Sequence, residues 1–142
     1  MHKVLAIETS CDETSVSIVS NCGETYKIHS NSIASQIEDH AEWGGVVPEL
    51  AARKHLELLP FVLDKALKES LISMQEIDVI ASTVTPGLVG CLRVGYITAR
   101  SLCMLYSKPF LGIHHLEGHL SCLLYTSPSP RDLSTSRMPS SA

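Results

Sequence analysis

The sequence predicts an α/β domain built around a mixed β-sheet. Five short runs rich in β-branched and other apolar residues are separated by turn signals, and two long segments rich in helix formers follow the third and fourth runs. The resulting order, β-β-β-α-β-α-β, begins as a β-meander and continues with strands and helices in alternation. This order is typical of a sheet with flanking helices, and each element is supported by local signals.

The first three predicted strands form the meander. Residues 4–7 are a continuous apolar run that opens into a polar loop, as expected of a buried strand. In residues 14–20, Val16 and Ile18 alternate with serines, which gives this strand one buried and one polar face. Residues 25–33 form the third strand after a turn that contains glycine.

A long helix is predicted over residues 48–70. Pro48 is acceptable at its first turn, because the N–H that proline lacks has no partner within the helix there. Pro60 lies in the interior of the segment, where the missing N–H predicts a kink. The apolar residues at helical spacing form one face, which comprises Leu59, Val62, Leu63, Ala66 and Leu67.

The last predicted elements alternate between turn, strand and helix. Ser73 and Glu76 have the spacing of a capping box, which predicts a short helical turn. Residues 78–85 follow as a buried, β-branched strand, residues 91–106 as a helix and residues 110–113 as the final strand.

Composition restricts the class of protein. The chain has 142 residues, 44% of them hydrophobic, and a formal net charge of −4, which argues against a broad nucleic-acid-binding surface. It contains no apolar run near the roughly 18 residues of a membrane span and no signal peptide, so we expect a cytoplasmic protein with no membrane partner. Its five cysteines are an odd number without a C-x-x-C pair, which predicts reduced thiols.

Composition changes abruptly after Ser121. Residues 122–142 read CLLYTSPSPRDLSTSRMPSSA, which is dense in serine and proline and lacks helical or strand periodicity. A disordered tail is one interpretation. A sharper one is translated sequencing adapter, because CLLYTSPSPRD and residues 136–142 both back-translate, in one frame and in order, to parts of a common transposase adapter. We therefore predict that residues 1–121 are an incomplete N-terminal lobe and that residues 122–142 are disordered adapter sequence.

The strongest candidate for chemistry is the run HLEGH at residues 115–119. On a helix, His115 and His119 share one face and are able to bind one metal ion, while Glu117 points elsewhere. The pattern differs from the H-E-x-x-H of zinc peptidases. Two histidines at this spacing are about as often ordinary surface or core residues, but their position just beyond a strand favours ligands. Two nitrogens do not complete a metal site, so we expect a third ligand from elsewhere.

A polar loop between the first two strands is a second candidate. Residues 8–14 read ETSCDET, and such a loop is able to hold phosphate oxygens through backbone N–H and hydroxyl groups. Asp12 or Glu13 would then position a metal ion or accept a proton. The alternative is a solvated hairpin made of residues that favour turns.

Two other segments each have two interpretations. Residues 85–90, TPGLVG, join a strand to a helix whose N-terminus favours an anion, or they form a tight turn with Gly95 allowing close packing. The cluster Arg53, Lys54 and His55 is either a solvated face or a contact to RNA phosphates.

Four segments together resemble one family. They are IETSCDETSVSIV at residues 7–19, GGVVPELAARKH at 44–55, TPGLVGCLRVG at 85–95 and HHLEGHL at 114–120. In order and spacing they are similar to the universal tRNA threonylcarbamoyladenosine-forming transferases of the bacterial and mitochondrial type, once described as O-sialoglycoprotein endopeptidases. The resemblance spans nearly all of residues 1–121.

The resemblance implies the N-terminal lobe of an actin-like ATPase fold, related to ribonuclease H, in truncated form. It implies transfer of a threonylcarbamoyl group from threonylcarbamoyl-AMP to the exocyclic amine of the adenosine beside the anticodon, in tRNAs that read codons beginning with A. By motif match, His115 and His119 become ligands of one divalent metal ion, Fe²⁺ in preference to Zn²⁺. Asp12 and Glu13 fall in the loop associated with activity.

The implied partners are tRNA, the adenylate, a paralogous subunit and a small ATPase of the bacterial pathway. The family's substrate-phosphate loop and its third metal ligand, an aspartate, would lie beyond Ser121, so we expect the 142-residue polypeptide itself to be inactive. Three alternatives are a non-catalytic paralogous subunit, a related carbamoyltransferase and a metal-dependent protease. The histidine pair disfavours the first, the CDET and GGVVPE segments disfavour the second, and the position of Glu117 disfavours the third.

Overall fold

The computed structural model describes residues 1–23 and 25–126, with side chains as far as Ser121. Its elements follow the predicted order, with one additional short helix and one helix at the end. The strands are β1 (His2–Glu8), β2 (Glu13–Cys22), β3 (Thr25–Ser35), β4 (Val79–Thr85) and β5 (Phe110–His114). The helices are α1 (Ile37–Ala41), α2 (Pro48–Ser70), α3 (Val89–Tyr106) and α4 (His115–Thr126), with a 3₁₀ turn at Met74–Glu76.

The five strands form one mixed sheet in the order β3-β2-β1-β4-β5. The meander is antiparallel, whereas β4 and β5 add in parallel to β1 and to each other. The register places Leu5 opposite Ile18 on one side and Ile80 on the other. Because residues of neighbouring strands at matched positions point to the same face, this pairing aligns the apolar side chains of three strands.

The apolar core lies between this sheet and helices α2 and α3. Burial alternates along β2 as predicted, since Val16 and Ile18 are fully buried while Ser15 and Ser17 are half-buried. Helix α2 contributes Leu59, Val62 and Ala66, as its spacing predicts. Burial of such apolar area is the main stabilising contribution, at roughly 25 cal/mol per Å².

The helix and the capping box predicted from the sequence are both present in the structure. Helix α2 has the predicted bounds, starts with Pro48 in its first turn and continues through Pro60 to Ser70. The capping box is complete: the Ser73 N–H donates to the Glu76 carboxylate at 3.0 Å, and the Glu76 backbone N–H donates to the Ser73 side chain. Lys3 adds a 2.8 Å ion pair, and these contacts lower the pKa of Glu76 to about 2.

Two helices depart from the predicted elements. Residues 37–41, for which no element was predicted, form α1. Helix α4 continues to Thr126, past the boundary predicted at Ser121, and residues 127–142 of the predicted tail lie outside the described residues. Cys11, Cys22, Cys91 and Cys103 are free thiols, as predicted. No helix within the described ranges is both long and apolar enough to cross a membrane.

Candidate functional site at the carboxyl edge of the sheet

Polar side chains from three neighbouring parallel strands meet at one edge of the sheet. Glu8 ends β1, Thr83 lies near the end of β4, and His115 begins α4 directly after β5. The carboxyl ends of parallel strands share an edge, which is where open α/β sheets bind ligands. The histidine pair therefore lies beside Glu8 although 107 positions separate Glu8 from His115.

Glu8 is held by hydrogen bonds on both of its carboxylate oxygens. The Ser10 N–H donates to Oε1 at 2.6 Å, and the Thr83 hydroxyl donates to Oε2. His115 Nδ1 lies 3.4 Å from the same Oε2 and 3.3 Å from Ser10 Oγ. Burial raises the pKa of Glu8, but hydrogen bonds from Ser10, Thr83 and His115 outweigh it, so the pKa lies below its ordinary value of 4.5. Glu8 is therefore ionised at neutral pH.

The two predicted ligand histidines face each other on α4. Their Nε2 atoms are 3.0 Å apart, and their ring centroids are separated by 4.6 Å with the planes nearly perpendicular. The helical spacing alone brings the rings together, as the sequence predicts. Within the described ranges, no group of three or more His, Cys, Asp or Glu side chains is arranged to hold a metal ion.

A third histidine borders the same edge. His114 ends β5, and its Nδ1 atom is buried without a hydrogen-bond partner among the described residues. His114 therefore adds a third imidazole at the end of β5, next to the histidine pair in the sequence.

The polar loop between β1 and β2 is held by internal hydrogen bonds and is not a solvated hairpin. Thr9 and Thr14 are almost completely buried, and their hydroxyls form internal hydrogen bonds. The Thr9 hydroxyl donates to the Cys91 carbonyl at 2.8 Å and accepts from the Gly95 N–H at 3.1 Å. The loop is therefore fastened to the first turns of α3.

The glycine-rich turn before α3 serves this packing. The Leu88 N–H donates to the Ser10 carbonyl at 2.9 Å, and a Cβ on Gly87 would lie 2.7 Å from that same oxygen. A Cβ on Gly95 would overlap the Thr9 hydroxyl. The interpretation of residues 85–95 as a close-packing turn therefore accounts for these glycines.

A buried hydrogen-bond network connects the loop between β1 and β2 to helix α2. Thr14 donates its hydroxyl to His55 Nδ1 at 2.7 Å, and His55 Nε2 donates to the Cys11 carbonyl at 2.9 Å. Gln36 Nε2 also donates to His55 Nδ1 at 3.4 Å, and its Oε1 accepts from His40 Nε2 at 3.2 Å. The network closes where the Val47 N–H donates to His40 Nδ1. The CDET and GGVVPE segments are thus joined through side chains in the core.

Asp12 lies in this supported loop, and Glu13 is the first residue of β2. Asp12 lines a shallow groove with Ile37, His40, Ala41, Gly45 and Val46, and Glu13 is exposed. Within residues 1–23 and 25–121, neither carboxylate forms a hydrogen bond or ion pair with His115 or His119. The carboxylate that contacts a member of the pair is Glu8, through the His115 ring.

The basic cluster on α2 does not present a common face. His55 is fully buried, and Lys54 pairs with Asp39 at 3.0 Å and with Glu57 at 3.9 Å. Arg53 is the exposed member of the three. These three residues therefore do not form one shared basic surface.

Comparison with known proteins decides the family. The family profile TsaD, tRNA N6-adenosine threonylcarbamoyltransferase, matches residues 27–133. The chain belongs to this transferase family. Over 131 residues it is 80% identical to the tRNA N6-adenosine threonylcarbamoyltransferase of Prochlorococcus marinus strain AS9601, and 52% identical to that of strain NATL1A. Each match covers 92% of the chain and 37% of the relative, so the chain spans about a third of the transferases it matches.

Solved structures place the chain in the expected fold. A Pseudomonas aeruginosa protein described as uncharacterized, with similarity to peptidase YEAZ, superimposes with a TM-score of 0.65 at 19% identity. YeaZ from the same organism gives a TM-score of 0.65 at 17% identity. Each match covers 89% of this chain and 50% of the other. The sheet and its flanking helices therefore form an actin-like, ribonuclease H-like lobe, as the resemblance implies.

Two residues at the carboxyl edge of the sheet, Glu8 and Thr83, were not predicted from the sequence. Glu8 is part of the ETSCDET segment, but only Asp12 and Glu13 were predicted to position a metal ion or accept a proton. They were preferred because polar residues lie on both sides of them in the loop. Thr83 was predicted only as part of a buried strand. The usable signal was the change from apolar to charged at the end of a buried parallel strand, which is where ligand-facing residues stand.

Proposed function

We propose that the full-length protein transfers a threonylcarbamoyl group from threonylcarbamoyl-AMP to tRNA. The acceptor is the exocyclic amine of the adenosine beside the anticodon, in tRNAs that read codons beginning with A. The amine nitrogen attacks the carbamoyl carbonyl carbon, the bond from that carbon to the adenylate phosphate oxygen breaks, AMP leaves, and the amine loses a proton. AMP is a good leaving group, so positioning and charge stabilisation would contribute most of the rate enhancement.

The observation that supports this proposal beyond family membership is the convergence of His115 Nε2 and His119 Nε2. Two imidazole nitrogens bound to one metal ion at about 2.1 Å lie roughly 3 to 3.4 Å apart, and these atoms are 3.0 Å apart. The donor set therefore fits one divalent ion. We propose Fe²⁺ in preference to Zn²⁺, with a third ligand from outside the described residues.

A metal ion at this edge would supply Lewis-acid polarisation of the threonylcarbamoyl carbonyl. The chain's own residues hold the histidines in place: β5 and α4 fix their spacing, and Glu8 with Ser10 faces the far side of the His115 ring. Asp12 and Glu13 are proposed as the carboxylates that assist removal of the amine proton. The hydrogen bonds of His55 to Thr14 and to the Cys11 carbonyl hold the backbone on either side of Asp12 and Glu13.

A paralogous subunit is proposed to cover the outer face of α3. Val89, Ile97, Met104 and Leu105 are all more than half exposed on this helix, and Phe61 is 74% exposed on α2. Exposed apolar groups concentrated on two packed helices are typical of a protein interface. The small ATPase and a cytoplasmic location are proposed on the family resemblance.

The test is nucleoside analysis of tRNA incubated with threonylcarbamoyl-AMP and the full-length protein with its pathway partners. We expect threonylcarbamoyladenosine to form, and His115→Ala or His119→Ala to reduce its rate at least a hundredfold. His2→Ala is the matched control, because His2 is exposed at the opposite end of β1 from Glu8. The 142-residue chain should give no product.

Three outcomes would contradict the proposal. Full activity in both histidine variants would exclude them from the site. Turnover of a carbamoyl adenylate without transfer to tRNA would indicate a related carbamoyltransferase, and the lack of any turnover by the full-length protein, with tRNA modification dependent on a second protein, would indicate a non-catalytic paralogue.

A further inference from the structure

The Glu8 carboxylate lies against the His115 ring, a contact that the position of Glu8 at the end of β1 does not by itself require. Removing a carboxylate from water costs free energy, and the Glu8 side chain is only 35% exposed, so it is largely desolvated. Three donors offset that cost: the Ser10 N–H, the Thr83 hydroxyl and the His115 ring. The first two fix the carboxylate so that Oε2 faces the imidazole.

This contact determines which ring nitrogen of His115 carries the proton. An ionised carboxylate only accepts hydrogen bonds, so His115 Nδ1 must be the donor to Glu8 Oε2. Nδ1 also lies 3.3 Å from Ser10 Oγ, whose lone pairs accept part of the same hydrogen bond. In the neutral ring the proton is then on Nδ1, and the lone pair is on Nε2, the atom that faces His119.

Glu8 does not itself have the position of a ligand to an ion held by the pair. It contacts Nδ1, whereas His119 contacts Nε2, and these two nitrogens point out of different sides of the five-membered ring. A carboxylate that supports a histidine from its far side is a recurring feature of metal sites, where it orients the ring and raises its basicity.

We propose that Glu8 is the positioning residue of the site, which holds His115 as the Nδ1–H tautomer and so presents the Nε2 lone pair beside His119. The inference rests on the proposed function for its consequence, metal binding, but the tautomer itself is independent of it. Thr83 and Ser10 have the supporting role of keeping the carboxylate aimed at the ring.

The sharpest variant is Glu8→Gln. The Ser10 N–H is a fixed donor and keeps the amide oxygen on its side, so the new NH₂ group must face Thr83 and His115. An NH₂ group donates, which makes Nδ1 an acceptor and moves the ring proton to Nε2. The substitution should therefore invert the tautomer with almost no change in side-chain volume.

The experiment is long-range ¹H–¹⁵N NMR of the histidine rings in the 142-residue chain at about pH 8.5, where imidazoles are neutral. His115→Ala assigns the His115 signals, and Glu117→Gln is the matched control because it removes a carboxylate from the same helix. We expect Nδ1–H in the chain and in Glu117→Gln, and Nε2–H in Glu8→Gln. A Co²⁺ titration of the same samples should show affinity about tenfold lower in Glu8→Gln.

The outcomes separate this inference from the proposed function. An unchanged His115 tautomer and unchanged Co²⁺ affinity in Glu8→Gln would overturn the positioning role. An inverted tautomer together with Co²⁺ binding that survives His115→Ala would support the role of Glu8 and count against the metal site. If Glu8→Gln loses the dispersed amide spectrum of a folded chain, Glu8→Asp withdraws the carboxylate by one methylene and is subject to the same two measurements, with the same result overturning the proposal.

Discussion

The Nε2–H of His55 donates a hydrogen bond to the carbonyl of Cys11 at 2.9 Å, 44 positions away along the chain. This contact holds the loop that carries Asp12 and Glu13 against helix α2. Since a carbonyl only accepts, His55 must be the Nε2–H tautomer, and its Nδ1 is free to accept from Thr14 and Gln36. The His55 ring is fully buried with both nitrogens hydrogen-bonded, so it supports the loop only in its neutral form.

Lowering the pH should destabilise the chain through His55. Burial lowers the pKa of His55 below its ordinary value of 6.5, and this outweighs the opposing effects of the Cys11 carbonyl, Glu8 and Asp12. His40 adds to the lowering. Below pH 6.5 the unfolded chain therefore binds a proton that the native chain does not, so this contribution to stability is complete above pH 6.5 and is lost as the pH falls.

Urea unfolding over a pH series measures this effect. The His55→Gln variant is the reference, because it keeps a polar side chain but has no titrating ring. The stability difference between the two proteins should shrink as the pH falls below 6.5, by at most about 1.4 kcal/mol per pH unit. A difference that is constant with pH would show that His55 takes up its proton equally in both states.

Thr9→Val should destabilise the chain by about 1 to 3 kcal/mol. The substitution keeps the shape of the side chain but removes the hydroxyl that bonds both Cys91 and Gly95 in α3. Thr9→Ser retains the hydroxyl and should lose less. Thermal or urea unfolding of the two variants checks the prediction, which fails if valine is tolerated better than serine.

Gly95→Ala should destabilise strongly, by about 3 kcal/mol or more, because overpacking here also displaces a buried hydrogen bond. A methyl group at this position would overlap the Thr9 hydroxyl and lie 3.2 Å from Ser82 Oγ. Gly45→Ala is the control, because no atom lies within 4 Å of its added Cβ. Equal unfolding midpoints for the two variants would contradict the close approach of α3 to β1.

Leu71→Gly should stabilise the chain by roughly 0.5 to 1 kcal/mol. Leu71 caps the C-terminus of α2 with φ of 56°, a left-handed conformation in which a Cβ is strained. Its side chain is 90% exposed, so its removal sacrifices little packing. Leu71→Ala keeps the Cβ and should not stabilise. A lower unfolding midpoint for Leu71→Gly than for the parent would show that its side chain has a role in packing.

Features that depend on nearby residues could be predicted from the sequence. The bounds of α2, the capping box at Ser73 and the alternation in β2 all follow from hydrophobic period and terminal residues, which act over a few positions. The same holds for the pairing of His115 with His119, since one helical turn brings them together. Helix α1 was missed because five residues give too short a period to recognise.

The α/β class, the family motifs and the two histidines that share a helix face could all be predicted from the amino-acid sequence alone. The three-dimensional arrangement was needed to show that Glu8, rather than Asp12 or Glu13, contacts His115. It was also needed to show that His55 is buried and supports the loop instead of belonging to a basic face. The reason is physical. Periodicity records which side of an element is buried, whereas the meeting of residues 8, 83 and 115 depends on β4 lying between β1 and β5 in parallel register, a pairing set by the packing of the whole sheet.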